Sequence, residues 1–235
     1  MVSRMELSWY FVLLPQLLVM IITVVMTAID EALAFITSCT HHNRKPAFAG
    51  CLQQVFTNHC LIITAGLVLV WLGGEESASH PVASIAWNEG FSTSFLKLVV
   101  SFLLFDWTFY AIHRGLHNSR WLYDHIHRRH HEAIEPYALT TFYAHPLQVL
   151  VLELPSITIG PTVMQMSAPL FQCWMVGVAI LTHWQHMGGL RTYHPSLSAK
   201  HHLGHHQARG QNYGITSMPD LVMGYLEGLS RLDAD

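Results

Sequence analysis

Charge is what this sequence has least of. Of 235 residues only 12 are Lys or Arg and 15 are Asp or Glu, 11% in all, less than half the share of an ordinary soluble domain. With 51% apolar residues and a mean hydropathy of +0.30, the composition is that of a membrane protein. A net charge of −3 and the lack of a basic stripe with interleaved aromatics exclude a nucleic-acid partner. Cysteine is scarce too. Cys39, Cys51, Cys60 and Cys173 have no zinc-like spacing and imply no disulfide framework, so they read as small apolar fillers. There is no internal repeat, low-complexity tract or soluble second domain.

What the chain has instead is long apolar runs. A bilayer core takes roughly 20 residues of helix. Residues 7–29 fit this, broken by Pro15, Gln16 and a few Thr; only Arg4 precedes them, so they read as a retained span and not a secretory signal. Residues 51–72 form a less clean run containing Gln53, Gln54, Asn58 and His59, and 91–112 a third with Lys97 near one end and Asp106 inside. Apolar sequence resumes over 147–181, interrupted by Glu153, Pro155, Pro161 and Pro169. Each arm of that stretch is near the short limit for crossing, so it reads as a helical hairpin that enters and returns on one side. The fold expected is all-α: an integral membrane helical bundle of three spans plus a re-entering hairpin, under a cytosolic His-rich helical cap. A single membrane-embedded domain covers 1–235, with spans over 1–112, a first His-rich region over 113–146, the hairpin over 147–182 and a second His-rich region over 183–235. Arg44 and Lys45 follow the first span, whereas 73–90 carries Glu75, Glu76 and Glu89 without Lys or Arg. Positive charge marks the cytoplasmic side, which places both His-rich regions at the cytosolic face.

Histidine is the outlier: 18 residues, 14 of them after Ile112. His113 and His117 are four apart, and His183 and His186 three apart. His127, His130 and His131, like His202, His205 and His206, stand at i, i+3 and i+4. On a helix each set projects from one face. Ten imidazoles at one membrane surface suit two metal ions with four or five nitrogen ligands each, leaving open positions for a small molecule. His41, His42, His59, His80 and His194 read as ordinary interfacial residues.

HRGLH (113–117), HRRHH (127–131) and HHLGHH (201–206), with YAHP (143–146), HMGG (186–189) and QNYG (211–214), resemble the membrane fatty acid hydroxylase and sterol desaturase superfamily, nearest its sterol methyl oxidase and sterol desaturase branch. The resemblance covers about half the chain, from Asp106 to Leu226. It implies a non-haem centre of two iron ions held by His113, His117, His127, His130, His131, His186, His202, His205 and His206. It also implies activation of O2 and electrons from an external b-type cytochrome and its reductase. His183 sits one residue closer to His186 than the pattern places it. Ligating imidazoles normally donate their second N–H to carboxylates or carbonyls. Asp106, Asp124, Glu132, Glu135 and Asp220 are candidates for that role, with Asn212 as a polar partner. Asp106 stands out because it lies seven residues before His113 on the same helical face, inside a span.

The expected function is hydroxylation, desaturation or methyl oxidation of a lipophilic substrate (a sterol, terpenoid or fatty acyl lipid) delivered from the membrane lipid. The endoplasmic reticulum is implied by the resemblance alone. Aromatics such as Trp107, Phe109, Tyr110, Trp121, Tyr137, Phe142, Tyr143 and Trp184 are candidates to line the entrance or to anchor at the interface. A catalytically degenerate metal binder is the alternative. A metal transporter needs more ligands inside the spans than His59, Asp106 and Glu153, and a transmembrane haem protein needs paired histidines on facing spans.

Overall fold

The computed structural model describes residues 4–36, 48–72, 89–187 and 199–232. Arg44, Lys45, Glu75 and Glu76, on which the orientation rests, lie outside the described residues, as do Cys39, His41, His42, His80 and His194. Among the described residues the chain is helical and has no strand.

The first apolar run begins as a short helix, Arg4–Ser8, widens into a π turn at Trp9–Leu13 and continues as α1, Leu14–Ile36. Pro15 explains the widening. It has no N–H to donate, and its ring pushes on the carbonyl four residues back, which a looser turn relieves. The second run is α2, Phe48–Leu72. Asn58 of this helix finds its partners at residues 142–144, where a 3-10 turn, Ala138–Phe142, comes to its end. Asn58 donates through Nδ2 to the carbonyls of Phe142 (2.9 Å) and Ala144 (3.0 Å), and Gln54 steadies Asn58 at 3.1 Å. From α1, the Asp30 carboxylate accepts the Ala138 N–H at 2.9 Å. Irregular backbone at this depth is tolerated only when its polar groups are paired in this way.

The third run, α3, spans Phe91–Asn118 without a break. His113 and His117 therefore ride on the same rigid rod as the span. The hairpin forms as expected. Its first arm passes through Pro146–Gln148 and a π turn at Val149–Glu153 into α4, Leu154–Val163; its second is α5, Ala168–His186. The turn between them, where Gln165 has φ 49°, is held by Lys97, whose Nζ donates to the Gln165 carbonyl and to Glu89, each at 3.0 Å. Gly160 lets α3 and α4 touch, because a Cβ there would stand 2.5 Å from the Cα of Ser101. Small residues at such crossings allow close backbone approach.

Among the described residues four helices are long and apolar enough to cross a membrane: Trp9–Phe35, Phe48–Leu72, Phe91–Asn118 and Pro146–Val163. The hairpin's first arm is thus long enough to span. Large apolar side chains such as Val24, Leu69, Phe91 and Phe95 point outward, a surface suited to acyl chains and costly in water. The protein is an integral membrane protein. The described residues also include α6 (Ala199–Ala208) and α7 (Met218–Leu232). An Arg114–Glu227 ion pair ties α7 to the end of α3.

Candidate metal centre

Two clusters of imidazoles form where α3, α5 and α6 meet the segment 123–132. One contains His113, His117, His127, His131 and His205; the other contains His130, His186, His202 and His206. Eight of the nine are buried, and His117 is half-buried. The segment around His127 departs from the expected regular helix: a π turn over Tyr123–His127 gives way to a 3-10 turn at His130–Glu132. α6 is regular, so its three histidines follow helical geometry.

The nitrogens that converge are the Nε2 atoms. In the first group His113 and His127 approach to 3.0 Å, His127 and His131 to 3.0 Å, His117 and His131 to 3.1 Å, and His131 and His205 to 3.1 Å. In the second, His186 and His202 stand 3.0 Å apart, as do His202 and His206. The Nδ1 atoms decide what these contacts are. Those of His113, His186 and His205 face the carbonyls of Tyr213, Thr182 and Gln211, all at 2.8 Å, and His130 faces that of Tyr143 at 3.3 Å. A carbonyl only accepts, so each of these Nδ1 atoms carries the proton. His127 Nδ1 likewise donates to Gln148 Oε1 at 2.8 Å, while Gln148 Nε2 donates to Glu153 at 2.9 Å. The carboxylate fixes which way that amide points.

It follows that the Nε2 atoms of His113 and His127 are both unprotonated lone pairs, 3.0 Å apart, with no proton to share. Facing lone pairs repel; a cation between them reverses the sign. Two nitrogens bound at right angles to one ion at about 2.1 Å would stand about 3 Å apart. Neutral imidazoles with fixed tautomers suit a redox-active first-row ion such as iron. The electrostatics agree. Burial holds the His130 imidazole down to about 4 and that of His205 to about 3. His127, His202 and His206 lie well below the ordinary value, through burial first and then through neighbouring imidazoles. All are neutral, the ligating form, at neutral pH.

His183 joins neither group. Its Nδ1 donates to the Ala179 carbonyl at 2.7 Å, its ring packs on Phe142, and its Nε2 is buried without a hydrogen-bond partner among the described residues. Asp106 touches no histidine nitrogen in these contacts; its carboxylate accepts the Thr216 N–H at 3.0 Å and the Thr216 hydroxyl. Asp220 accepts from Tyr213 N and Gly214 N at 2.8 and 2.9 Å. The two carboxylates thus hold the loop whose Tyr213 carbonyl steadies His113. Asn212, at φ 60°, donates to the His201 carbonyl at 3.0 Å. Glu132 takes the Tyr143 hydroxyl at 2.7 Å, and Asp124 stands 3.6 Å from Arg120. Gln148 is not among the residues that the sequence pattern points to. Its position two residues after the Pro of YAHP is the local signal it carries.

Below the imidazoles lies a cavity of about 260 Å³, walled by α1, α2, α3, α4 and α5. His113, His127, His130, His186 and His202 form its head, and Phe11 and Phe171 lie near its foot. Along α5 the distance from Phe171 to His186 is about 22 Å at 1.5 Å per residue. Phe109 and Phe142, of the aromatics singled out above, line it, while Trp121 and Trp184 are exposed.

A model of the fatty acid hydroxylase family matches residues 98–225, more than half the chain and a stretch that includes all nine clustered histidines. The chain belongs to the fatty acid hydroxylase family. Among curated relatives, methylsterol monooxygenase 2-2 of Arabidopsis thaliana is 33% identical over 206 residues, 81% of this chain and 74% of that protein. The very-long-chain aldehyde decarbonylase GL1-8 of Oryza sativa subsp. indica is 33% identical over 141 residues, 57% of this chain and 52% of the relative. Methylsterol monooxygenase 2-1 of Arabidopsis thaliana is 28% identical over 222 residues, covering 83% and 78%. The chain thus spans about half the length of the rice relative and about three quarters of the Arabidopsis ones. No solved structure matches it.

Proposed function

We propose that this fatty acid hydroxylase family member is a membrane-bound non-haem diiron oxidoreductase that uses O2 to hydroxylate, desaturate or oxidise a methyl group of a lipophilic substrate: a sterol, a terpenoid or a fatty acyl lipid. One observation carries the reading. Nine buried or half-buried imidazoles converge as two groups of Nε2 atoms at the head of an apolar cavity, and at least one facing pair has lone pairs that only a cation reconciles. His113, His117, His127, His131 and His205 would hold one iron, and His130, His186, His202 and His206 the other. Bound iron supplies the redox chemistry for reducing O2 and breaking a C–H bond. Electrons come from an external b-type cytochrome and its reductase.

The chain's own part is positional. Carbonyls of Tyr213, Gln211, Thr182 and Tyr143, with Gln148, keep the Nδ1 protons in place so that Nε2 is available. The apolar cavity excludes water and limits which carbon reaches the histidines. Asp106 and Asn212 act as positioning residues for the loop after α6. The membrane is that of the endoplasmic reticulum, with the histidines at its cytosolic face. Support for this reading comes from the methylsterol monooxygenase and aldehyde decarbonylase relatives and from the four candidate spans.

Elemental analysis of detergent-purified protein after anaerobic iron reconstitution tests it. About two irons per chain, falling in both His130→Ala and His205→Ala, are expected of two imidazole sites. Such loading would justify a screen of sterols, fatty acyl lipids and terpenoids with labelled O2. A wild-type chain that takes up no iron sinks the oxidase reading.

A further inference from the structure

The cavity walls hold few polar side chains, and most are committed. Thr141, Thr158 and Thr182 return their hydroxyls to backbone carbonyls of their own segments. Gln185 donates to the Ile215 carbonyl, and Gln148 is used at both ends. Two lining oxygens remain, both buried and without a hydrogen-bond partner among the described residues: Oε2 of Glu153 and Oε1 of Gln16. A buried carboxylate oxygen left unpaired is costly unless something completes it.

The two oxygens sit at different depths. Gly160 against Ser101 sets the register of antiparallel α3 and α4, which places Glu153 level with Thr108. That is five residues below His113, about 7 Å along the helix. Phe11 packs on Phe171, and Met26 clusters with Met187, so α1 and α5 run parallel with Gln16 some ten residues below His186, about 15 Å. Only Glu153 lies a short reach from a carbon held at the histidines.

We propose that Glu153 is a specificity-determining residue whose free oxygen accepts the hydroxyl of a lipid alcohol, so that the cavity selects a lipid with a hydroxyl a few bonds from the carbon presented to the histidines over the matching hydrocarbon. This rests on reading the cavity as the substrate's. The shared chemistry is an alcohol on a long apolar body, and either a sterol or a long-chain alcohol offers it. An accepted hydroxyl also fixes which carbon faces the imidazoles, since the rest of the wall is apolar and indifferent to sliding.

The test is equilibrium binding, without oxygen, of tritiated cholestanol against cholestane and of 1-hexadecanol against hexadecane, to the full chain in detergent after anaerobic treatment with iron, its iron content measured alongside. Each alcohol that fits is expected to bind at least about tenfold more tightly than its hydrocarbon, a modest value for a site built to pair a hydroxyl. Glu153→Leu should bring that ratio near one. Glu153→Met, closer in length, is read the same way if the Leu variant does not fold. Whichever pair carries the preference identifies the source of the alcohol. A purely structural role for Glu153, holding Gln148, would weaken alcohol and hydrocarbon alike and leave the ratio unchanged. An unchanged ratio in the variants, a wild-type ratio near one for both pairs, or a preference abolished by Gln16→Leu instead overturns the proposal. A chain that keeps the ratio yet takes up no iron counts against the oxidase reading and leaves Glu153's role standing.

Discussion

His127 and His131 belong to the five-membered group and His130 to the four-membered one, whereas in α6 it is His202 and His206 that join the four and His205 that crosses to the five. The same H-x-x-H-H spacing is used in opposite senses. On a helix, residues i and i+4 lie within about 40° of each other, while i+3 and i+4 diverge by about 100°. One triplet can therefore give two ligands to one site and one to its neighbour. The 127–131 segment keeps this division although it is wound as a π turn and a 3-10 turn.

The groups also differ in what steadies them. His113 and His205 of the first lean on carbonyls of Tyr213 and Gln211, in the loop that Asp106 and Asp220 hold. His186 of the second leans on Thr182, within its own helix, and His130 on the strapped segment at Tyr143. The five-membered group thus has more imidazoles but depends on a loop; the four-membered group has fewer and rests on helix and buried turn.

Removing ligands should break the comparison most sharply. His202→Ala leaves three imidazoles in the four-membered group, so iron should fall from about two to about one per chain; His117→Ala, which removes a half-buried member of five, should lose much less. Metal analysis of the two variants side by side reads this, and equal losses would mean the five are not one site.

A smaller effect is expected from the loop. Asp106→Ala removes a buried carboxylate that takes two hydrogen bonds from Thr216, costing about 3 kcal/mol of stability. The loss of affinity should fall on the five-membered group, about 10- to 100-fold, as for other residues that orient ligands. Competition with a chelator, followed by the spectrum of the metal retained, would show it. Equal weakening of both groups would remove the distinction.

Smallest is Asn212→Ala. It deletes one bond to the His201 carbonyl, about 1 kcal/mol, and puts Ala at positive φ. A modest drop in thermal midpoint is expected with iron content unchanged.

Much of the architecture was legible because it is periodic. Apolar runs of span length gave the helices, and the hairpin followed from Pro-interrupted arms near 147–181. Gln54 and Asn58, which made the second run look impure, are there to strap residues 142–144. Nothing local to α2 announces that, since the partners are 84 and 86 residues away. His183 shows the converse: its spacing from His186 suits a helical pair, yet its ring turns to Phe142 and stands apart from both groups. Asp106 stands out in the sequence by its depth and its face. Its partner, Thr216, is 110 residues on and carried no signal.

By itself the sequence determined that the chain spans a membrane and that imidazoles recur at i, i+3 and i+4, because hydropathy and helical period are properties of neighbouring residues. Only the tertiary structure decided how those imidazoles divide into five and four, which Nδ1 proton is held by which carbonyl, and that Glu153 shares a cavity with them. Those outcomes depend on contacts such as His131 with His205 and His113 with Tyr213, 74 and 100 residues apart, whose geometry is set by how the helices pack.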